Sequence, residues 1–257
     1  MSSFTIASYN VHKCVGLDMR RDPARISRVI SEIAPDIIAL QEADRRFGDR
    51  AGLLDLDHLR DTSGLAAVPV EAGRRSHGWH GNLVLTRNMD IEDVRPLRLP
   101  GLEPRGAVMI DLNRDGQRLR VLAAHLGLLR ASRIAQARAL IAALAEARAA
   151  RDERPAVLLG DLNEWRLRRR SSLGLLAEHK PSFHRPVASF PAHMPVLALD
   201  RIMVSPDAQL QDFAAHDTPL ARVASDHLPV KARLSLSAAQ AAEDSEPLRL
   251  RVAGGRG

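Results

Sequence analysis

The chain has a single cysteine among its 257 residues. Cys14 alone cannot form an intrachain disulfide, and its solitary state fits a reducing compartment. Aromatic residues make up only 3% of the chain, which leaves few stacking platforms for single-stranded nucleic acid. Lysine is scarce too: Lys13, Lys180 and Lys231 are the only ones, so the net charge of +6 is arginine charge. No apolar run approaches the eighteen or so residues of a membrane-spanning helix. The opening Met1-Ser2-Ser3-Phe4-Thr5 lacks a basic segment followed by an apolar one, so a secretory leader is not expected and the cytoplasm is the default location.

What is present is enough for a sizeable core, with 45% hydrophobic residues and a length that suits one large α/β domain or two small ones. Four apolar runs end in a polar residue: Thr5 to Asn10, Ile37 to Glu42, Leu119 to His125, and Ala156 through Gly160-Asp161-Leu162-Asn163. Runs apolar on both faces are strands buried in a layered protein. Such a strand cannot carry an unpartnered polar group mid-length, but its end can present one to a cleft. A fifth cluster, Ser225-Asp226-His227, precedes the apolar run Leu228–Leu236. Carboxylates, carboxamides and imidazoles from distant segments are thus expected on one sheet edge, a composition suited to divalent-metal phosphoester chemistry.

Elsewhere the pattern alternates. Asp22 as N-cap and Pro23 at the first helical position predict a helix over Pro23–Ile33. A second helix is expected over Asp49–Thr62, and the alanine-rich Ala131–Arg151 predicts a third. Strands are expected at Leu65–Val70, Asn82–Thr86, Ile91–Leu97, Gly106–Leu112, Arg118–Ala124, Asp200–Val204 and Gln209–Ala215, with Asp115-Gly116 as a hairpin turn. Pro181–Pro195 reads as a long ordered loop. Without an interior linker, residues 1–236 are expected to form one domain, and the small, charged composition of 237–257 a disordered tail.

The segments Tyr9-Asn10-Val11-His12, Leu40-Gln41-Glu42, Gly81-Asn82-Leu83-Val84-Leu85-Thr86-Arg87, Ala124-His125-Leu126, Gly160-Asp161-Leu162-Asn163, Leu199-Asp200-Arg201-Ile202 and Ser225-Asp226-His227 recur in one order. Each is short, but together they resemble the endonuclease/exonuclease/phosphatase superfamily, of deoxyribonuclease-I-like fold, from Thr5 to about Leu236. Arg105-Gly106, Trp165-Arg166 and Ser189-Phe190-Pro191 also match small bacterial members. The resemblance implies an α/β four-layer sandwich: two packed mixed β-sheets flanked by helices, with a metal where strand ends meet.

It further implies a role for each residue. Glu42, Asn10 and Asp226 would ligate magnesium, with manganese as the alternative; magnesium takes one or two carboxylates and keeps several waters. Asp161 would orient or deprotonate the attacking water and Asn163 hold the scissile phosphate, both from one face of an extended segment. Bare Gly-Asp-Leu-Asn is also the composition of a turn or a helix cap. His227 and His125 would supply donors to the phosphorane, Asp200 would fix the His227 tautomer, and Arg105, Asn82, Trp165 and Arg166 would contact substrate. His12 and His125 depart from the abasic-site repair pattern, which weakens that activity. The remaining histidines, including His77 and His80, read as ordinary surface or core residues, and the oxygen-rich ligand set disfavours zinc.

Three functions follow. The leading one is a metal-dependent phosphodiesterase of a small or lipid-derived substrate. A nuclease is supported by the basic run Arg166, Arg168, Arg169 and Arg170, and a non-catalytic anion-binding module is the alternative of another class. The expected partner is an anionic phosphoester, with nucleic acid and peripheral membrane contact open, and the expected state is a monomer.

Overall fold

A computed structural model of the chain describes residues 3–45, 48–70, 75–149, 153–166, 171–174 and 185–236. The elements run β1 (Ser3–Asn10), α1 (Pro23–Ile33), β2 (Ile37–Gln41), α2 (Leu56–Ser63), β3 (Ala66–Ala67), β4 (Leu83–Thr86), β5 (Asp90–Leu99), β6 (Arg105–Arg114), β7 (Gln117–His125), α3 (Arg130–Ala149), β8 (Ala156–Asp161), β9 (Asp200–Val204), β10 (Ala208–Ala215), α4 (Pro219–Ala224) and β11 (Val230–Leu236). They form two mixed sheets, ordered β10-β11-β1-β2-β4-β3 and β5-β6-β7-β8-β9.

Alternation along the strands explains the layering. Phe4 and Ile6 of β1 meet Val121 and Ala123 of β7 and Val157 and Leu159 of β8 in a core between the sheets. The alternate residues face outward: Ala7 and Tyr9 pack under Ile26 and Ile30 of α1, and Leu122 and Leu158 pack under Ala137 and Leu140 of α3. Both faces of these strands are therefore buried, as their unbroken apolar runs require. The arrangement is an α/β sandwich with helices outside the paired sheets.

Local signals account for most boundaries. The Asp22 side chain accepts the Arg25 N–H at 2.9 Å and Pro23 opens α1. Asp115 and Gly116 turn β6 into β7 with φ of 52° and 80°, the positive values that a tight hairpin turn needs. Two expectations were too long. The helix sought over Asp49–Thr62 begins only at Leu56, because Asp55 caps it by accepting the His58 N–H at 2.9 Å. The strand sought over Leu65–Val70 shrinks to Ala66–Ala67, just ahead of Pro69, which cannot donate to a ladder. Helix α4 was not anticipated, although Thr218-Pro219 is a cap followed by an N1 proline. The expected tail and Arg168–Arg170 lie outside the described residues.

Candidate active site

The rows that build the inter-sheet core continue one step past it. Counting by twos, Ile6 leads to Asn10, Val121 and Ala123 to His125, and Val157 and Leu159 to Asp161; Ile202 and Val204 run back to Asp200. Parity alone aims these four polar side chains into the same space between the sheets. Register completes the arrangement, since His125 lies opposite Asp161 in the β7–β8 pair and Asp161 opposite Asp200 in the β8–β9 pair.

Asp161 is the hub, with 2% exposure. Its Oδ2 accepts the Asn10 carboxamide N–H across the two sheets at 2.9 Å, and lies 3.5 Å from His125 Nε2 and 3.8 Å from His227 Nε2. His227 bonds through Nδ1 to Asp200 Oδ2 at 2.8 Å, and the Ser189 hydroxyl donates to that same oxygen. The bond fixes which imidazole nitrogen faces Asp161. Ser225 ties the last segment to the first by donating to the Asn10 carbonyl at 2.7 Å.

The two imidazoles differ in charge. Burial disfavours a cation at His227, but Asp200, Asp161 and Asp226 outweigh it and lift the group to about 10. Burial pushes His125 down to about 3, opposed by Asp161 and reinforced by Arg105, whose guanidinium lies 2.7 Å from Nε2. At neutral pH one histidine is an imidazolium and the other is neutral, on either side of one carboxylate. Opposed shifts of this kind mark acid and base roles.

The expectation that Asp161 and Asn163 share a face of extended chain does not hold. Asn163 has φ of 50°, and its N–H turns back to Asp161 Oδ1 at 2.9 Å. The local Asx turn and the site are one structure. Asn163 uses one amide hydrogen on the Leu126 carbonyl at 2.9 Å. Asn82 also departs from the expected substrate contact: it is fully buried and its amide donates to the carbonyls of Gly106 and Trp79, so it brackets the two sheets. Trp165 and Arg166 stand on the rim, with the Arg166 guanidinium 4.7 Å from the indole centre.

Glu42 and Asp226 flank Asn10 from the two strands beside β1. Glu42 follows Gln41, the β2 partner of Asn10, and Asp226 follows Ser225 just ahead of β11. Both carboxylates are about a third exposed or less. The Lys13 ammonium already contacts Glu42, so a cation is seated against that carboxylate. Burial works against the Glu42 charge, but Lys13 holds its carboxyl below the usual range. Among the described residues no three His, Cys, Asp or Glu side chains gather into a cage. Two carboxylates and the Asn10 carboxamide oxygen are hard donors, few in number, and fit a magnesium-type ion that keeps several waters.

Beside Glu42 opens a polar cleft lined by Lys13, Asp44, Arg50, His80, Glu103 and Arg105. Arg50 pairs with Asp44 through two bonds of 2.8 and 3.1 Å, and Arg105 with Glu103 at 2.9 Å. Of these only Arg105 was singled out in the sequence. Lys13 had a usable signal, since it is one of three lysines and follows the Asn10 motif directly. Arg50 and His80 had none, because their loops carry no periodic pattern.

The profile of the Endonuclease/Exonuclease/phosphatase family matches residues 7–227. The chain belongs to the endonuclease/exonuclease/phosphatase family. Its members act on phosphoesters, and the matched span contains every residue of the array from Asn10 to His227. The uncharacterized protein YbhP of Escherichia coli (strain K12) is 29% identical over 252 residues, covering 91% of this chain and 97% of YbhP. An endonuclease/exonuclease/phosphatase from Beutenbergia cavernae superposes with a TM-score of 0.69 at 20% identity, over 92% of this chain and 72% of that one. The Bacteroides thetaiotaomicron mannosyl-6-phosphatase Bt3783 gives 0.69 at 18% identity, over 90% and 99%. These two likenesses concern the fold.

Proposed function

We propose that this endonuclease/exonuclease/phosphatase family member is a divalent-metal-dependent phosphodiesterase acting on a small or lipid-derived phosphodiester. The observation that carries the reading is the buried Asp161 carboxylate between a cationic His227 and a neutral His125. A divalent cation held by Glu42, Asp226 and the Asn10 oxygen would polarise a phosphoryl oxygen and offset its charge. Asn10 holds Asp161 in orientation, so the carboxylate can take a proton from water as its oxygen attacks phosphorus, while the opposite P–O bond breaks and the departing oxygen takes its proton from solvent. His227, kept cationic by Asp200, donates from Nε2 to a non-bridging oxygen as charge builds there. Asn163 has a second amide hydrogen for the same phosphoryl group. His125, neutral, accepts from the Arg105 guanidinium at Nε2 and holds that cation beside the site without competing for the Asp161 proton.

A phosphomonoester is the second reading. It is favoured by Lys13, Arg50 and Arg105 in the cleft, which are each paired with a carboxylate there but carry more N–H donors than those pairs use. A nuclease is less supported, because among the described residues the exposed apolar and aromatic side chains of the rim include one tryptophan, Trp165, and no row of stacking rings.

The test is hydrolysis of an aryl phosphodiester and the matching monoester by purified protein. Chelator should abolish turnover, and magnesium or manganese should restore it. Magnesium should also raise the Tm of the wild type, and Glu42→Ala should lose that rise together with turnover while staying folded. Full turnover in excess chelator rejects the proposal.

A further inference from the structure

Large apolar side chains left in water concentrate at one end of this molecule. Among the described residues ten are exposed, and nine of them lie at the strand ends that carry Asn10, His125 and Asp161, eight on loops and Val223 on α4; Ile91 is the exception. Scattered exposed leucines are ordinary, but their collection around one opening marks an interaction surface.

The nine form two lips. On one side Leu17 and Met19 sit on the β1–α1 loop, and the Leu17 N–H bonds to the carbonyl of exposed Val223 on α4 at 3.1 Å. Arg222 next to it donates to the His193 carbonyl at 3.0 Å, which brings in Met194 and Val196. On the other side the Leu128 N–H donates to Glu103 at 2.7 Å, so Leu128 and Leu129 neighbour Leu102 at the β5–β6 turn. Arg133 bonds the Leu128 carbonyl and lies 5.8 Å from the Trp165 ring centre, joining that indole to the same lip. Met19 and Leu102 are 80% and 86% exposed, so these tips touch almost nothing in their own chain.

The same end of the molecule carries Arg20, Arg21, Arg130 and Arg166, while carboxylates beside them are engaged: Asp18 by Arg25, Glu103 by Arg105 and Asp217 by Arg222. Leucine, methionine and tryptophan tips alternating with arginine suit the headgroup–acyl boundary of an anionic bilayer, where apolar tips insert and guanidiniums meet phosphates. A nucleic-acid surface would want basic tips without leucines. We infer that the two lips are a membrane-docking surface that seats the catalytic cleft against an anionic phospholipid bilayer. The inference rests on the proposed reaction only for what is cleaved there, not for the docking.

Flotation with phosphatidylcholine vesicles, with and without phosphatidylglycerol, tests it on the full-length protein. The wild type should bind the phosphatidylglycerol vesicles, less so as salt rises. Exposed positions tolerate polar replacement, so Leu128→Ser/Leu129→Ser and Met19→Ser/Leu102→Ser should fold normally and keep their turnover of a soluble aryl phosphodiester. Each removed side chain should weaken vesicle binding roughly five- to tenfold. Absence of binding by the wild type, or equal binding by the substituted proteins, overturns the inference. A wild-type dimer that the same substitutions dissolve also overturns it and assigns the lips to a second copy. Vesicle binding without hydrolysis of the soluble diester would fail the reaction and leave the docking surface standing.

Discussion

Gly160 offers a sharp test of how the site is held. It pairs with Ala124 in the parallel β7–β8 ladder, one step before His125 meets Asp161. Its φ is 151°, a region that side chains rarely enter, and an added Cβ would lie 2.8 Å from the Ala124 carbonyl carbon and closer still to its oxygen. Restoring an ordinary separation of about 3.5 Å from that oxygen requires the strands to part locally by roughly 1.5 Å. Gly160→Ala should therefore cost about 2–4 kcal/mol, from backbone strain and one or two weakened ladder bonds. In a chain of this size that lowers Tm by roughly 5–15 °C. The catalytic effect should exceed the loss of folded protein, because a misplacement near 1 Å can cost about 10²-fold in rate. Thermal unfolding and single-turnover hydrolysis at a temperature where the variant is folded would separate the two. A variant with wild-type Tm and turnover would show that the close approach of β7 and β8 does not position Asp161.

The remaining predictions concern the array and its support. Asp161→Asn should lower turnover by roughly 10²–10⁴ and His227→Ala by roughly 10²–10³, both with little change in KM; retention of a tenth of wild-type turnover by either would show the role misassigned. Glu164 is fully buried, and burial raises its carboxyl, but the Ser172 hydroxyl and N–H, the Arg166 N–H and Arg133 overcome this and hold it below the usual range. A lowered carboxyl stabilises the fold above its unfolded value of about 4.3, and that contribution fades as pH falls through the lower folded value. Wild-type Tm should thus drop steeply below about pH 4, whereas Glu164→Gln, less stable at pH 7, should show a shallower acid slope; parallel curves would refute the linkage.

The array was legible because buried strands must be apolar until they end, so Asn10, Glu42, His125 and Asp161 stood out where such runs stop, whereas Asp200 entered through the resemblance carried by Leu199-Asp200-Arg201-Ile202. The fold followed from the same runs and from strong local signals such as Asp22-Pro23 and Asp115-Gly116. What sequence patterning hid is buried charge. Arg133 lies in an alanine-rich helix, where an arginine reads as solvated, yet it is fully buried between the Gly127 and Leu128 carbonyls, Ser172 and Glu164. Arg120 looks equally ordinary on β7 but pairs with Asp111 through two bonds of 2.7 and 2.8 Å. Pairing is a property of two distant positions, and one position shows nothing of it. Asn82 misled for the opposite reason: a carboxamide at a strand end serves a backbone bracket as well as a ligand.

The place of β11 in the first sheet has a consequence for biosynthesis. This strand closes the free flank of β1, although the two meet from opposite ends of the described residues, with Phe4 opposite Leu234 and Ser8 opposite Val230. Chains leave the ribosome N-terminus first. Until residues 225–236 emerge, β1 has one bare edge, Asn10 lacks its Ser225 bond, and Asp161 lacks His227 beside it. A nascent or truncated chain can therefore bury much of its second sheet and still lack the closed array. The four-residue array closes only when this last strand is in place, and the waiting β1 edge is where a chaperone would have most to protect.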